Sequence, residues 1–379
     1  MTRQLAALAV YLAGTPPQNA TARQNEADFF KIIKKSLHQK KDDILYEALE
    51  WMRRDDLNAF RFLKEAIEEV AEVVVIARDG EAAVEINAFV IPLFLHTTGG
   101  LKSEQSFQDQ EAFELLTASL QKAGLESPAA NVVLVNHGYQ LDEIDSITFS
   151  HLHEMVRDAH ASMNDMRAAS ASAIERSFGE GIDEPFAADD VAVELRFLLG
   201  FAMKAVDDQF YAVPTDDAAM DAYFAEREAR FQRWSGDVAP LVQRCFGPVE
   251  RNIEVHFLYQ DLFHGGKERG IAEYFTLQMM SDLNHGLNQA GVAPAASRAV
   301  IGPGTVGEEK ILRVNLYALA DDALLVSSEK PLATSADLDT ELLDVRDALN
   351  MMGIDAIAVT QKFDDESYPT EPIVKNRVS

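Results

Sequence analysis

Three of the nine histidines lie close together, His151, His153 and His160, with Glu154 and Asp158 beside them. A helical metal site needs its ligands on one face, as in a His-Glu-x-x-His pair four residues apart. His151 and His153 are two apart and point to different sides of a helix. His153 and His160 share a face, but Arg157 lies between them, and a cation there repels a divalent ion. The pattern reads as a polar helix face. No metal site and no cofactor are expected.

His96 and His264 make a second pair. Each follows an apolar strand and precedes glycine, in His96-Thr97-Thr98-Gly99 and His264-Gly265-Gly266. Strand-end loops are common places for function, so both are site candidates. The plainer reading is two polar residues that end strands. Arg196 and Arg313 are a third pair, equivalent strand residues able to hold an anion; strand arginines more often pair with a neighbouring carboxylate.

Other motifs fall short of a known chemistry. The run from Gly302 to Lys310, GPGTVGEEK, is rich in glycine but lacks the Gly-Lys-Ser/Thr ending of a phosphate loop. A strand follows it, and its two glutamates repel phosphate, so it reads as a connecting loop. No Gly-x-Ser-x-Gly elbow occurs. The single cysteine, Cys245, lies in the run Leu241-Val242-Gln243-Arg244-Cys245-Phe246 and reads as buried and structural. Met279, Met280, Met351 and Met352 read as core filling. Catalytic residues are therefore unknown at this stage.

The elements that must carry these residues follow from hydrophobic spacing. Phe29, Ile32, Ile33 and Leu37 predict one helix; Ile44, Ala48, Leu49 and Met52 another; Phe60, Leu63, Ile67 and Val70 a third. The short apolar run from Leu5 to Ala13 behind Arg3 resembles a secretion leader but is expected to be the first helix of the fold. Strands are predicted at Val73–Ile76, from Glu85 to Phe94, and at Val132–Val135. Arg78-Asp79-Gly80-Glu81 reads as a hairpin turn.

An internal repeat organises the rest. Residues 85–136 overlay residues 252–303 at a constant offset of 167, placing Ile86 on Ile253, Gly124 on Gly291, and Val133-Leu134 on Val300-Ile301. The match resumes at an offset of 117, where Leu195-Arg196-Phe197 falls on Leu312-Arg313-Val314. The first copy thus carries about 50 extra residues. Each copy is expected to run β-α-β-β-β-α-β, with a turn at Asp207-Asp208 or Asp321-Asp322 before its next strand. The fold expected is α+β (α/β): two tandem ferredoxin-like split βαβ repeats behind an N-terminal helical segment. The divisions are 1–72 for the helical segment, 73–250 for the first repeat with a helical insertion at about 138–192, and 251–379 for the second repeat. Within the insertion, Asp145-Ser146 is expected to cap a helix, Ala168 to Ile174 to continue helical, and Gly179 to Pro185 to form the exit.

The order of elements resembles a bacterial family of unknown function found mainly in beta-proteobacteria. The resemblance rests on the first helix Arg3-Gln4-Leu5-Ala6-Ala7-Leu8, the strand Ile91-Pro92-Leu93-Phe94, and the closing helix and strand Leu349–Ile357. It implies that the first helix belongs to the fold, and it brings no activity.

Composition narrows the function classes. With 34 basic and 62 acidic side chains the net charge is −28, which disfavours direct contact with nucleic acid or anionic membrane. One cysteine fits a reducing compartment, so the cytoplasm is expected. The first expectation is a non-catalytic binding or regulatory scaffold with a protein partner or a second copy, using the insertion as a removable partner surface. The alternatives are an enzyme with a small-molecule site between the two repeats, and an acidic nucleic-acid mimic.

Overall fold

Every residue from Ala88 to Leu95, and every residue from Phe197 to Met203, is apolar, so strands built from them must be covered on both faces. The computed structural model describes residues 1–14, 19–77, 83–98, 107, 109–125, 130–162, 191–247, 253–258, 265–307, 309–333, 336–364, 368–370 and 373–375. In it the two runs lie in β2 (Val84–Thr98) and β4 (Val191–Ala205), antiparallel from Val84↔Ala205 to Thr98↔Val191. The chain divides into two compact units, Met1–Gly270 and Ile271–Ser379, each with its own sheet. Residues 1–72 lie in the same unit as the first sheet.

In the first unit β3 (Asn131–Tyr139) pairs with the outer edge of β4. Two short strands share the outer edge of β2: β1 (Val73–Ile76) against Val84–Asn87, and β5 (Ile253–Phe257) against Leu93–Thr97. Pro92, with no N–H to donate, falls in the stretch of β2 that neither covers. Two crossovers interleave. Helix α5 (Gln110–Ala123) leads from β2 to β3 past β4, and α8 (Asp217–Phe246) leads from β4 to β5 past β2.

Both crossover helices cover one face. Phe113, Leu116 and Leu120 of α5 join Phe231, Trp234 and Val242 of α8 over Ile91, Leu93, Leu198 and Ala202. Asp109 caps α5 by accepting from the Ala112 N–H at 2.9 Å. Gly124 ends it in the left-handed region, φ 58°, and its counterpart Gly291 does the same at φ 65°.

The other face is covered from the N-terminus. Helices α1 (Thr2–Gly14), α2 (Ala20–His38), α3 (Asp42–Asp55) and α4 (Leu57–Glu72) form one cluster around Leu5, Ala9, Phe29, Ile33, Leu45, Leu63 and Ile67. The apolar run behind Arg3 is thus the first helix of the fold, as expected. The described part of the insertion adds α6 (Leu141–Ser146) and α7 (Phe149–Ser162).

In the second unit β6 (Ser297–Val306), β7 (Glu309–Ala318) and β8 (Leu324–Pro331) form an antiparallel meander. Strand β9 (Ala356–Thr360) lies parallel to β6, and β10 (Ile373–Lys375) pairs with β9. Met279, Leu283 and Leu287 of α9 (Gly266–Ala290) and Val345 and Leu349 of α10 (Leu338–Met351) bury Ile301, Leu312, Val314 and Leu316. On the same face the buried Lys330 is neutralised by Glu341 at 2.6 Å.

Several expectations need correction. The first copy has no strand after Asp207-Asp208; residues 206–216 are irregular. Both edges of β4 are already taken, by β2 and β3, whereas β7 keeps an edge free for β8. Residues 302–306 extend β6 rather than forming a loop, and Gly307, φ 61°, makes the turn. Asp145-Ser146 closes α6 instead of capping α7. The insertion is not a detachable surface, because Met155, Val156 and Ala159 of α7 are buried and the Ser150 N–H donates to Asp42 of α3 at 2.9 Å. Met279 is core, but Met351 is exposed. The turn at 78–81 and the segments 168–174 and 179–185 lie outside the described residues.

Gly200 tests the packing of the first sheet. A Cβ there would stand 2.4 Å from Phe89 Cζ and 2.8 Å from the Val133 carbonyl oxygen. The ring can turn, but the backbone oxygen cannot yield without moving β3. Gly200→Ala is expected to lower stability by about 1–3 kcal/mol, seen as a lower urea midpoint. An unchanged midpoint would contradict this packing.

Candidate functional site

Charged side chains are rarely placed on the inward stripe of a helix, because burial strips their water. Helix α4 does this at Lys64, Glu68 and Glu72, spaced four apart on one face. The stripe runs along a cleft in the first unit, roofed by α4, α6, α7 and the first turn of α9, and floored by the sheet. Two adjoining hollows of about 70 and 130 Å³ make up the cleft. Val90 of β2, Leu199 of β4 and Leu152 of α7 line both, and Ile144, Ile147 and Phe149 line the larger. Glu72, Lys267 and Glu268 reach into both.

Most of these charges are matched. Lys64 Nζ lies 2.5 Å from Glu68 Oε1 and 3.5 Å from Glu268 Oε1. Lys267 pairs with Asp145 of α6. Glu72 has no hydrogen-bond or ion-pair partner among the described residues. Burial is the main reason its carboxyl is pushed up to about 7, and the charges of Glu68 and Glu268 add to this against the pull of Lys64 and Lys267. Burial also raises Glu68, with Lys64 opposing. Burial lowers Lys64, but Glu68 and Glu268 outweigh it, so its ammonium is held more firmly than usual. A half-buried carboxyl held well above the usual carboxylate range, in a cleft with apolar walls, makes this the candidate site.

The residues singled out from sequence lie elsewhere. Of the histidines of α7, His153 is half-buried, its Nδ1 3.0 Å from the Val70 carbonyl of α4, and burial lowers its affinity for a proton. Among the described residues no group of three or more His, Cys, Asp or Glu is placed to hold a metal ion. His96 is exposed, and its ring lies 5.2 Å from that of His256 on β5; His264 is outside the described residues. The arginines are each committed to a carboxylate. Arg196 Nη2 binds Glu194 at 2.7 Å and its Nη1 donates to the Gly138 carbonyl at 3.1 Å, while Arg313 pairs with Glu329 across the β7–β8 ladder.

Sequence reasoning missed the cleft because Lys64, Glu68 and Glu72 look like an exposed i, i+4 ladder. The one usable signal was their nearness to the apolar face Phe60, Leu63, Ile67 and Val70. It also missed a buried pair, His137 Nε2 and Glu143 Oε2 at 3.2 Å. That glutamate accepts from the Gln140 N–H at 2.6 Å as well, so the pair fastens the irregular end of β3 to the start of α6.

No family model, curated protein or solved structure matches this chain. Among the described residues no helix is long and apolar enough to cross a membrane.

Two predictions follow from these environments. Glu72 holds its proton more tightly folded than unfolded, so stability is expected to fall as pH rises from about 4.5 to about 7 and then level off. Glu72→Gln should therefore stabilise the protein by about 1–2 kcal/mol at pH 8, after discounting for partial exposure, and by little at pH 4.5. Chemical denaturation at both pH values measures this; a loss of stability at pH 8 would refute it. Cys245 is buried, which pushes its thiol up to about 12. It is expected to resist iodoacetamide at pH 8 in native protein and to react fully in urea.

Proposed function

We propose that this protein is a non-catalytic binding protein whose ligand occupies the cleft of the first unit. The observation that carries this reading is Glu72, unmatched among the described residues and set among apolar walls, in a network where neighbouring charges are paired. Leaving a half-buried carboxylate without a partner costs stability, and a ligand that satisfies it would recover that cost. A space of roughly 150 Å³ is enough for a benzene ring, so adjoining hollows of about 130 and 70 Å³ suit a ligand with a single ring or short branched chain.

The two sheets are read as diverged copies of one ferredoxin-like unit. The matching left-handed glycines Gly124 and Gly291 support this, as do the equivalent ion-paired arginines Arg196 and Arg313. The interleaved crossovers of the first unit fit that topology. A cytoplasmic setting is supported by the single buried cysteine. An acidic surface suits a basic protein partner, which this reading retains for the faces outside the cleft.

The enzyme alternative also has an observation in its favour: a carboxyl titrating near 7 is well matched to proton transfer at neutral pH. In the binding reading the same property sets the pH range of the ligand.

Toluene, a neutral apolar single ring, tests the cleft by calorimetry with the full chain. It is expected to bind with a stoichiometry of about one. Binding should be lost when Leu152→Trp fills the space, with the melting temperature showing that the variant remains folded. Toluene binding unaffected by this folded variant would overturn the proposal.

A further inference from the structure

We infer that the cleft selects a primary amine carrying one apolar ring or short branched chain, with Glu72 as the partner of its ammonium group. This rests on the binding reading above and specifies the ligand of that same cleft.

The argument is one of charge and size. The cleft and its rim carry Glu68, Glu72, Glu268 and Asp145 against Lys64 and Lys267. Glu68 and Glu268 share Lys64, and Asp145 holds Lys267, which leaves Glu72. An anion entering here would meet carboxylates whose lysines are already engaged. A neutral ligand would fill the space and leave Glu72 unmatched. A monocation satisfies Glu72, and two fixed ammonium groups nearby oppose a second positive charge. The apolar body of the ligand then lies on Val90, Leu152 and Leu199, the side chains common to both hollows. A net charge of −28 draws cations toward the surface in the first place.

The charges around Glu72 come from the helices. Helix α4 presents Lys64 and Glu68, and the first turn of α9 presents Lys267 and Glu268; Asp145 of α6 holds Lys267, and His153 of α7 meets the Val70 carbonyl of α4. Strands β2 and β4 offer only Ala88, Phe89, Val90 and Leu199 to the cleft. Glu72 must release its proton to pair with an ammonium group, so amine binding should require a pH above the range in which that carboxyl titrates.

Calorimetry on the full chain tests the assignment with three ligands of one shape: benzylamine, the uncharged benzyl alcohol, and the anion phenylacetate. At pH 8 benzylamine is expected to bind at least about tenfold more tightly than benzyl alcohol, and phenylacetate to show no binding. Lowering the pH from 8 to 6 should weaken benzylamine about tenfold and leave benzyl alcohol unchanged. Glu72→Gln should bring benzylamine and benzyl alcohol to equal affinity while toluene still binds. Equal affinities in the unaltered protein, or tighter binding of phenylacetate, with toluene binding still lost in Leu152→Trp, would overturn the amine assignment and leave the cleft standing. Toluene binding that ignores Leu152→Trp would overturn both.

Discussion

The first unit depends on the ladder between β2 and β4. Fifteen residue pairs run in unbroken register, and the middle of each strand is apolar on both faces. Such a pair cannot leave one face to water, as many antiparallel sheets do. The crossover helices α5 and α8 cover one side as part of the chain's own winding. The other side needs separate material, supplied by the four N-terminal helices together with α6 and α7. The first 72 residues therefore belong to the sheet they precede.

The cleft follows from that arrangement. Helices assembled from three distant parts of the chain do not close perfectly over a twisted sheet. The gap falls where α4, α6, α7 and the start of α9 converge on Val90 and Leu199. Gly270 allows α9 to approach closely, since a Cβ there would stand 2.6 Å from Pro92 Cβ. The charged stripe of α4 faces this gap because it is the part of the inner surface that water can still reach. Lysines from two helices hold most of the carboxylates in place, and Glu72, at the last turn of α4, has no partner among the described residues.

Much of the architecture was legible in the sequence. The helices before residue 72 follow from their apolar spacing, and the left-handed glycines that end α5 and α9 were marked by the repeat. The repeat failed where neighbours decide the outcome. Asp207-Asp208 and Asp321-Asp322 look alike, yet only β7 has a free edge for the strand that follows. GPGTV reads as a loop by composition but is held extended by ten-residue pairing with β7. The site was illegible for a related reason. An i, i+4 run of lysine and glutamate has the same spelling on an exposed helix and along a cleft; only the sheet beneath it makes the difference.

The spacing of Lys64, Glu68 and Glu72 also shapes how the gene can vary. Side chains four apart stay aligned only while the count between them is kept, because each residue turns the helix by about 100°. A substitution on the outer face of α4 leaves the three in line. A single codon gained or lost between them swings Glu72 out of the cleft and turns Ile67 or Val70 toward water. Drift in this segment should therefore proceed by exchange of residues at constant length, and natural differences in length should gather in the connections on either side.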